Sequence, residues 1–372
     1  MTGKKGWSRR EFVQTMGTAA IGTRAFGATQ LFGSQTQALH DASFVYVGCS
    51  SADFEGIEVL AVKDGGLQRV QRIASRNPAS IVLSSDNKML YAVNAISQHG
   101  GLPRGTVESY AISSSGQLTM LGQQELSLSA TMPRHAALSP DGTRLLVTSQ
   151  GGGLYNVLPV TADGSLGRVS GIFKVTGDTS GRAALPQMTI FDRKGRAITA
   201  DAGTGRVSVL AAADASLIPH AQTAIDGEAS LHQVALHESA SALYVARDGS
   251  IERYGYDHET GNIRDLQQKL SYGARALTLH PSNKLLLSYG TENGIRSWRV
   301  ASDGSLRNAG SYGAELGRLA ALNLSGNGTI LTISSERDEI TAAQLNPSNG
   351  QISTPRTLLA LDSPRSMAVM YI

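Results

Sequence analysis

The sequence predicts an all-β fold, because a repeat of nearly constant length contains strand-forming apolar segments separated by tight-turn residues. Each copy has a short apolar strand, a turn of Ser-Pro-Asp-Gly type, and a second apolar strand. A third strand follows, and a turn of Asp-Gly-x-Leu type connects it to a fourth. A period near 45 residues with four short strands per copy indicates a seven-bladed β-propeller. The residue before each first strand recurs at spacings of 55, 53, 45, 43, 45 and 45 residues, and we refer to these positions as the column: Ala79, Arg134, Gln187, His232, Arg275, Ala320 and Arg365.

The turns within the repeats carry residues that suit tight hairpins. Asp-Gly or Asn-Gly pairs occur in segments 63–67, 162–166, 302–306 and 348–352. These pairs accept the positive φ angles that two-residue hairpin turns require. The 41 glycines are therefore explained by hairpin chemistry and not by low-complexity sequence.

The two ends of the repeated region complement each other. The last first-strand copy, 367–371, has no second strand after it, whereas the segment 44–48 matches second strands and has no first strand before it. We expect these two segments to pair in one blade. This pairing would close the ring and remove the open sheet edges that an unclosed ring exposes.

The first 38 residues form a separate segment that resembles a twin-arginine export signal. Arg9 and Arg10 follow a basic lead and precede Phe12 and a mildly apolar stretch, 16–28, which is too short to span a membrane. The alternative is a chance Arg-Arg pair in a disordered tail. We expect residues 1–38 to be a signal peptide and disordered segment, with cleavage after Ala38 or Ala28, and residues 39–372 to form the propeller. The export machinery would then be a partner and the mature protein periplasmic or secreted.

The charge balance argues against nucleic acid as a partner. Without residues 1–38 the chain has 28 basic and 29 acidic residues, so its apparent excess of positive charge belongs to the signal. Cys49 is the single cysteine and forms no internal disulfide. We expect a monomer without a membrane span in its mature form.

The column predicts where a ligand would bind. First strands line the channel of a propeller, so Arg134, Arg275 and Arg365 would converge on its axis. Converging guanidinium groups favour a small anionic or strongly polar molecule. The alternative is that these arginines only bind carbonyl ends of neighbouring strands or pair with acids in the channel.

Acidic residues follow two of the second strands, at Asp201 and Asp248. Asp248 belongs to the same blade as His232, and together they could form an oriented general base. The alternative is that Asp248-Gly249 is simply a turn. His135 follows Arg134 on the opposite side of its strand and is expected to be packed. No metal-binding spacing, phosphate loop or dinucleotide fingerprint occurs in the sequence, and we expect no cofactor.

These segments resemble the seven-bladed propeller lactonases, which include bacterial 6-phosphogluconolactonases and fungal carboxymuconate-lactonizing enzymes. The resemblance covers essentially all of residues 43–372. It rests on the order of the segments 44–48, 89–94, 133–135, 201–207 and 274–277, and on the absence of a Trp-Asp ending on the third strands. It implies hydrolysis of a lactone at Gln187, His232, Asp248 and Arg275.

The chain departs from the family pattern at three places. A His-x-His pair is replaced by Leu185 and Gln187, Pro-Arg-His reads Leu-His-Gln at 231–233, and Asp248 stands in place of a glutamate, whereas Arg275 is kept. The site is thus a degenerate form of the family site. The expected residues are catalytic His232, Asp248 and Arg275, and substrate-binding Arg134, Gln187, Arg365 and Asp201.

Two hypotheses follow for the function. The first is a hydrolase of the 6-phosphogluconolactonase type, acting on a sugar lactone in carbohydrate metabolism with an arginine stabilising the oxyanion. The second is a non-catalytic propeller that binds a small polar or anionic ligand, or a protein, in the periplasm.

Overall fold

The computed structural model describes residues 39, 42–177, 181–213, 216–224, 230–313 and 316–371. These residues form twenty-eight β-strands in seven four-stranded antiparallel sheets. The predicted seven-bladed β-propeller is therefore confirmed. The predicted signal peptide, residues 1–38, lies outside the described residues and stays a prediction.

The first four blades take up the N-terminal half of the chain and its last strand. Blade 1 contains β1 (Ala42–Ser50), β2 (Glu55–Lys63), β3 (Gly66–Ala74) and β28 (Pro364–Tyr371). Blade 2 contains β4 (Pro78–Leu83), β5 (Met89–Asn94), β6 (Thr106–Ile112) and β7 (Leu118–Glu125). Blade 3 contains β8 (Pro133–Leu138), β9 (Arg144–Ser149), β10 (Leu154–Pro159) and β11 (Gly171–Lys174). Blade 4 contains β12 (Pro186–Phe191), β13 (Ala197–Asp201), β14 (Arg206–Ala213) and β15 (Ser216–Ala224).

The remaining three blades follow in chain order. Blade 5 contains β16 (Leu231–His237), β17 (Ala242–Arg247), β18 (Ile251–Tyr256) and β19 (Ile263–Leu270). Blade 6 contains β20 (Ala276–Leu279), β21 (Leu285–Gly290), β22 (Gly294–Val300) and β23 (Leu306–Tyr312). Blade 7 contains β24 (Leu319–Leu324), β25 (Thr329–Ser334), β26 (Glu339–Gln344) and β27 (Arg356–Ala360).

The innermost strands form a closed circle of contacts. Each of β28, β4, β8, β12, β16, β20 and β24 contacts the next, and β24 contacts β28. The second strands are almost wholly buried, as in β17, because neighbouring blades cover both of their faces. The outermost strands, such as β19, are mostly exposed or half-buried. The apolar runs in the sequence therefore correspond to the second strands.

The hydrophobic core lies between adjacent blades. One cluster joins Met188 and Val209 of blade 4 to Val234 and Val245 of blade 5, and six further clusters of this kind lie among the described residues. Each sheet thus buries its faces against its neighbours, as expected for a repeat that cannot fold alone.

The ring closes through the two ends of the repeated region, as predicted. Strand β28 pairs antiparallel with β1, with Val45 opposite Val369 and Tyr46 opposite Ala368. The C-terminal strand therefore provides the innermost strand of blade 1, and the N-terminal segment provides the other three.

Tyrosine hydroxyl groups tie blades to the turns of their neighbours. Tyr91 Oη donates to the carbonyl oxygen of Gly164 at 3.0 Å, and Tyr244 Oη donates to that of Gly304 at 2.7 Å. Both glycines belong to predicted Asp-Gly turns and have φ angles of 83° and 82°. Glycine adopts this left-handed conformation without steric strain. The turn residues thus fix blade-to-blade contacts as well as hairpins.

The antiparallel order brings one set of loops to the same face of the ring. On this face each innermost strand begins and each second strand ends, and we name it the mouth face. Two irregular insertions, 96–105 and 176–184, belong to it, and 178–180 lie outside the described residues. None of the helices in the described part of the chain has the length and apolar character needed to cross a membrane.

Candidate functional site

The column residues occupy β-bulges at the start of the innermost strands. In six blades the ladder skips one residue, and that residue is the column position: Ala79, Arg134, Gln187, His232, Ala320 and Arg365. In blade 6, Arg275 lies directly before β20 and its N–H donates to the carbonyl oxygen of Tyr289 at 2.7 Å. A bulge leaves the extra residue outside the ladder and redirects its side chain. Local backbone geometry therefore separates these side chains from the sheet packing.

Exposure supports this description of the column. Arg134, Arg275 and Arg365 are exposed, and Gln187 and His232 are half-buried. The residues before all five, in contrast, are buried: Pro133, Pro186, Leu231, Ala274 and Pro364. The sequence therefore places accessible polar groups at the mouth face on a buried support.

The three predicted catalytic residues meet at one carboxylate oxygen. His232 Nε2 lies 2.7 Å from Asp248 Oδ1, and Arg275 Nη2 lies 3.2 Å from the same atom. Asp248 thus joins the column residue of blade 5 to that of blade 6. In the neutral imidazole, donation from Nε2–H to this carboxylate leaves Nδ1 as the basic atom.

The Asp248-Gly249 turn is held from both sides. The Asp248 N–H donates to the carbonyl oxygen of Ser230 at 3.4 Å, and the Ala274 N–H donates to that of Arg247 at 2.7 Å. A Cβ atom at Gly273 would collide with the Asp248 carbonyl oxygen, so glycine permits this close approach. The segment is a turn, as one alternative held, and the same turn carries the carboxylate to His232.

A buried ion pair that no sequence motif indicated lies beneath this turn. Arg247 Nε lies 3.0 Å from Glu252 Oε2, and both side chains are 2% exposed. Lys269 Nζ lies 3.0 Å from Glu252 Oε1, and Tyr254 Oη donates to Oε2 at 2.9 Å. Burial alone would raise the pKa of Glu252, but Lys269 and Arg247 outweigh it and hold the pKa low. The signal in the sequence for a buried charge was the arginine at the end of β17, whose other residues are apolar.

The substrate-binding candidates of blade 4 differ in position. Gln187 is half-buried at the bulge of β12, whereas Asp201 is buried, with 3% of its surface exposed. Asp201 Oδ1 accepts hydrogen bonds from Thr204 N–H at 2.7 Å and from Leu185 N–H at 3.2 Å. Asp201 therefore lies buried at the end of β13, where its carboxylate holds the backbone of the segment that precedes Gln187.

Arg134 and Arg365 are cations with no partner among the residues that the structure describes. Both are exposed at the mouth face, and no residue that the structure describes forms a hydrogen bond or ion pair with either guanidinium. The expected alternative, pairing with strand carbonyls or channel acids, applies only to Arg275 through Asp248. Two guanidinium groups that no described residue pairs with provide donors for an anionic ligand.

His135 faces away from this set and binds the neighbouring blade. The Thr189 N–H donates to His135 Nδ1 at 3.4 Å. Enclosure by the surrounding strands lowers the pKa of His135 to about 4 from 6.5. The ring is therefore a neutral packing group at physiological pH, as the sequence indicated.

The depressed pKa of His135 predicts loss of stability in acid. The unfolded chain takes up the proton below pH 6.5, whereas the folded chain resists protonation down to about pH 4. Stability should therefore fall as the pH falls through this window, by ~3 kcal/mol at most. Urea unfolding at pH 7, 5.5 and 4.5 measures this fall, and His135→Asn should reduce it. An unchanged pH dependence in the variant would show that other groups cause it.

Two open grooves of about 450 Å³ each lie away from the column. Hairpin turns on the opposite face line them, with Arg193, Asp257 and His258 in one and His237 and Lys284 in the other. Neither contains a column residue. Within the described ranges, no three His, Cys, Asp or Glu side chains are grouped so that they could hold a metal ion.

The chain matches a family model over nearly its whole propeller. The model described as lactonase, 7-bladed beta-propeller, matches residues 44–370. No curated protein sequence is significantly similar to the chain.

Solved structures share the fold at low sequence identity. The periplasmic gluconolactonase of Pseudomonas aeruginosa is 20% identical, with a TM-score of 0.75, covering 88% of this chain and 98% of that one. A protein of Bacteroides uniformis, provisionally named a 6-phosphogluconolactonase, is 20% identical with a TM-score of 0.77, covering 89% and 100%. A Bacteroides fragilis protein with the same provisional name is 17% identical with a TM-score of 0.76, covering 89% and 99%. At these identities the likeness shows the fold alone.

Proposed function

Because the chain belongs to the lactonase family of seven-bladed β-propellers, we propose that its mouth face hydrolyses the ester of a sugar lactone. The observation that carries this proposal is the convergence of His232 and Arg275 on Asp248 Oδ1, at 2.7 and 3.2 Å. This arrangement combines an oriented base with a cation that can stabilise negative charge.

In the proposed reaction, His232 first accepts a proton and later returns it. His232 Nδ1 takes a proton from a water molecule, whose oxygen attacks the lactone carbonyl. Asp248 stabilises the resulting imidazolium, and Arg275 stabilises the tetrahedral oxyanion. The ring C–O bond then breaks, and His232 returns the proton to the departing alkoxide. The product is a hydroxy acid, and the imidazole is neutral again.

The remaining site residues would bind and position the substrate. Arg134 and Arg365 would hold an anionic or polyhydroxylated part of the ligand, since neither is paired within the described residues. Gln187 would orient the ring or the attacking water. Asp201 would act indirectly, because its carboxylate holds the Leu185 N–H before Gln187.

Acid release from a panel of lactones tests the function directly. We expect the propeller, residues 39–372, to release acid from at least one five- or six-membered sugar lactone in a pH-stat. Phosphorylated and unphosphorylated lactones belong in the same panel, because the arginines favour the former. A lack of turnover with every lactone would contradict the enzyme function. Arg134 and Arg365, which no described residue pairs with, would then support a propeller that binds an anionic ligand without turnover.

We further propose that the protein is exported to the periplasm through its twin-arginine segment. The Pseudomonas aeruginosa neighbour is named a periplasmic gluconolactonase, which agrees with this compartment. Changing Arg9 and Arg10 together to Lys should leave the precursor in the cytoplasm, as measured by cell fractionation. Lys4→Arg with Lys5→Arg is the matched control and should be exported. Normal export of the Arg9 and Arg10 variant would contradict the assignment.

A further inference from the structure

A group of exposed apolar side chains lies in the mouth-face loops of three neighbouring blades. Nine large apolar side chains in the described part of the chain are more than two-fifths exposed. Five of them lie on outermost strands: Met120, Leu121, Ile172, Ile218 and Leu266. The other four lie in mouth-face loops of blades 2 to 4, and we name them the apolar lip: Leu102, Leu128, Met132 and Leu185.

The loops of the lip are tied together by main-chain hydrogen bonds. Ser129 N–H, next to Leu128, donates to the carbonyl oxygen of Pro103 at 2.8 Å. Met132 N–H donates to the carbonyl oxygen of Ile96 at 3.0 Å. The insertion 96–105 and the loop 126–132 therefore form one hydrogen-bonded surface.

Leu185 is fixed in place in the neighbouring blade. Its N–H donates to Asp201 Oδ1 at 3.2 Å, and its carbonyl oxygen accepts from Ala202 N–H at 3.0 Å. A buried carboxylate thus holds a leucine that is 44% exposed. Folding orders this side chain even though no described residue covers it fully.

The lip adjoins the polar column. Met132 lies two residues before Arg134, and Leu185 lies two residues before Gln187. Met132 has a φ of 49°, and Asn77 and Ser363, at the same place in two other blades, have φ angles of 43° and 46°. This left-handed conformation therefore belongs to the entry of the innermost strands. An apolar side chain thus lies two residues from Arg134, which has no partner among the described residues.

We propose that the apolar lip binds an alkyl or aryl substituent of the substrate, so that the preferred ligand is an amphipathic lactone. This inference rests on the proposed function for the lactone ring. The carbonyl and any anionic group would lie at the column, and the apolar substituent would cover Met132 and Leu185. Exposed apolar patches next to polar groups are typical of such binding sites.

The size of the effect follows from the hydrophobic contribution of each methylene. Moving one methylene from water into apolar contact raises affinity about fourfold. A pentyl substituent that covers half-exposed side chains should bury about two methylenes in full. The expected gain is therefore about tenfold or more.

Binding of two hydroxy acids tests the lip without requiring turnover. 5-Hydroxydecanoate and 5-hydroxypentanoate share a carboxylate and a hydroxyl group, and only the first carries a pentyl substituent. Calorimetry on the propeller should show about tenfold tighter binding of 5-hydroxydecanoate. The double variant Met132→Ser, Leu185→Ser should bring the affinity ratio close to one. Ile172→Ser, at an exposed apolar side chain on β11, should keep the ratio.

The outcomes separate this inference from the proposed function. A wild-type ratio close to one, or a ratio that survives the double variant, would overturn the lip as a ligand site and favour a protein partner there. Leu185→Met should retain the ratio, which distinguishes loss of apolar contact from a misfolded loop. A wild-type affinity ratio of about ten that the double variant abolishes would support the lip. If the wild type also turned over neither δ-decalactone nor any other lactone, only the lactonase function would be contradicted.

Discussion

Replacing Arg275 by alanine is expected to lower lactone hydrolysis by on the order of a hundredfold or more. The guanidinium lies 3.2 Å from Asp248 Oδ1 and is more than half exposed, so it can contact the carbonyl oxygen of a substrate. Loss of one oxyanion donor has this size of effect in acyl-transfer enzymes. The loss should appear mainly in kcat, because negative charge develops on that oxygen only in the transition state.

The matched control is Arg307→Ala, which removes an exposed arginine from β23 of the same blade and should leave the rate unchanged. Arg275→Lys should recover only part of the rate, since lysine keeps the charge but loses the planar fork of donors. Full activity in Arg275→Ala would place the chemistry at other residues.

The same assay on His232→Ala tests the base. Histidine is the side chain that normally changes charge near neutrality. Its removal should abolish the rise in rate with pH that a general base produces. A pH profile that survives in this variant would show that another group takes the proton from water.

Removing residues 364–372 is expected to prevent folding. This deletion takes away β28, the innermost strand of blade 1 and the strand that pairs with β1. It uncovers the hydrogen-bonding edge of β1 and the buried side chains Val45 and Val47. An uncovered apolar edge is an aggregation site. Circular dichroism and size-exclusion chromatography should show loss of the native transition and aggregated protein.

Arg365→Ala is the control on the same strand, because its side chain is exposed at a bulge and makes no ladder pair. This variant should fold and elute like the wild type. A truncated protein that stays monomeric with the native melting transition would contradict ring closure as a condition of folding.

The sequence predicted the fold and the convergent residues because both depend on the repeat. A residue at a fixed place in each copy, such as His232 or Arg275, must reach a similar place in the ring. Asp248 follows by the same logic, as the residue after a second strand. Irregular loops do not recur from copy to copy, and the burial of Asp201 beside Leu185 was therefore not predicted.

The buried pair of Arg247 and Glu252 escaped prediction for a different physical reason. Its stability depends on several partners in space, including Lys269 from the outermost strand of the blade. A charged residue at the end of an apolar strand is equally compatible with an exposed position. Only the packing of the neighbouring blade determines that it is buried.

The β-bulges of the innermost strands have a consequence for how this protein can diversify. A bulged residue contributes no ladder pair and little core packing, so its identity is nearly free of the demands of folding. The column can therefore exchange arginine, glutamine, histidine and alanine from blade to blade while the sheets stay the same. Stability and ligand preference are encoded at separate positions, and a new specificity can arise by single substitutions that leave the melting temperature almost unchanged.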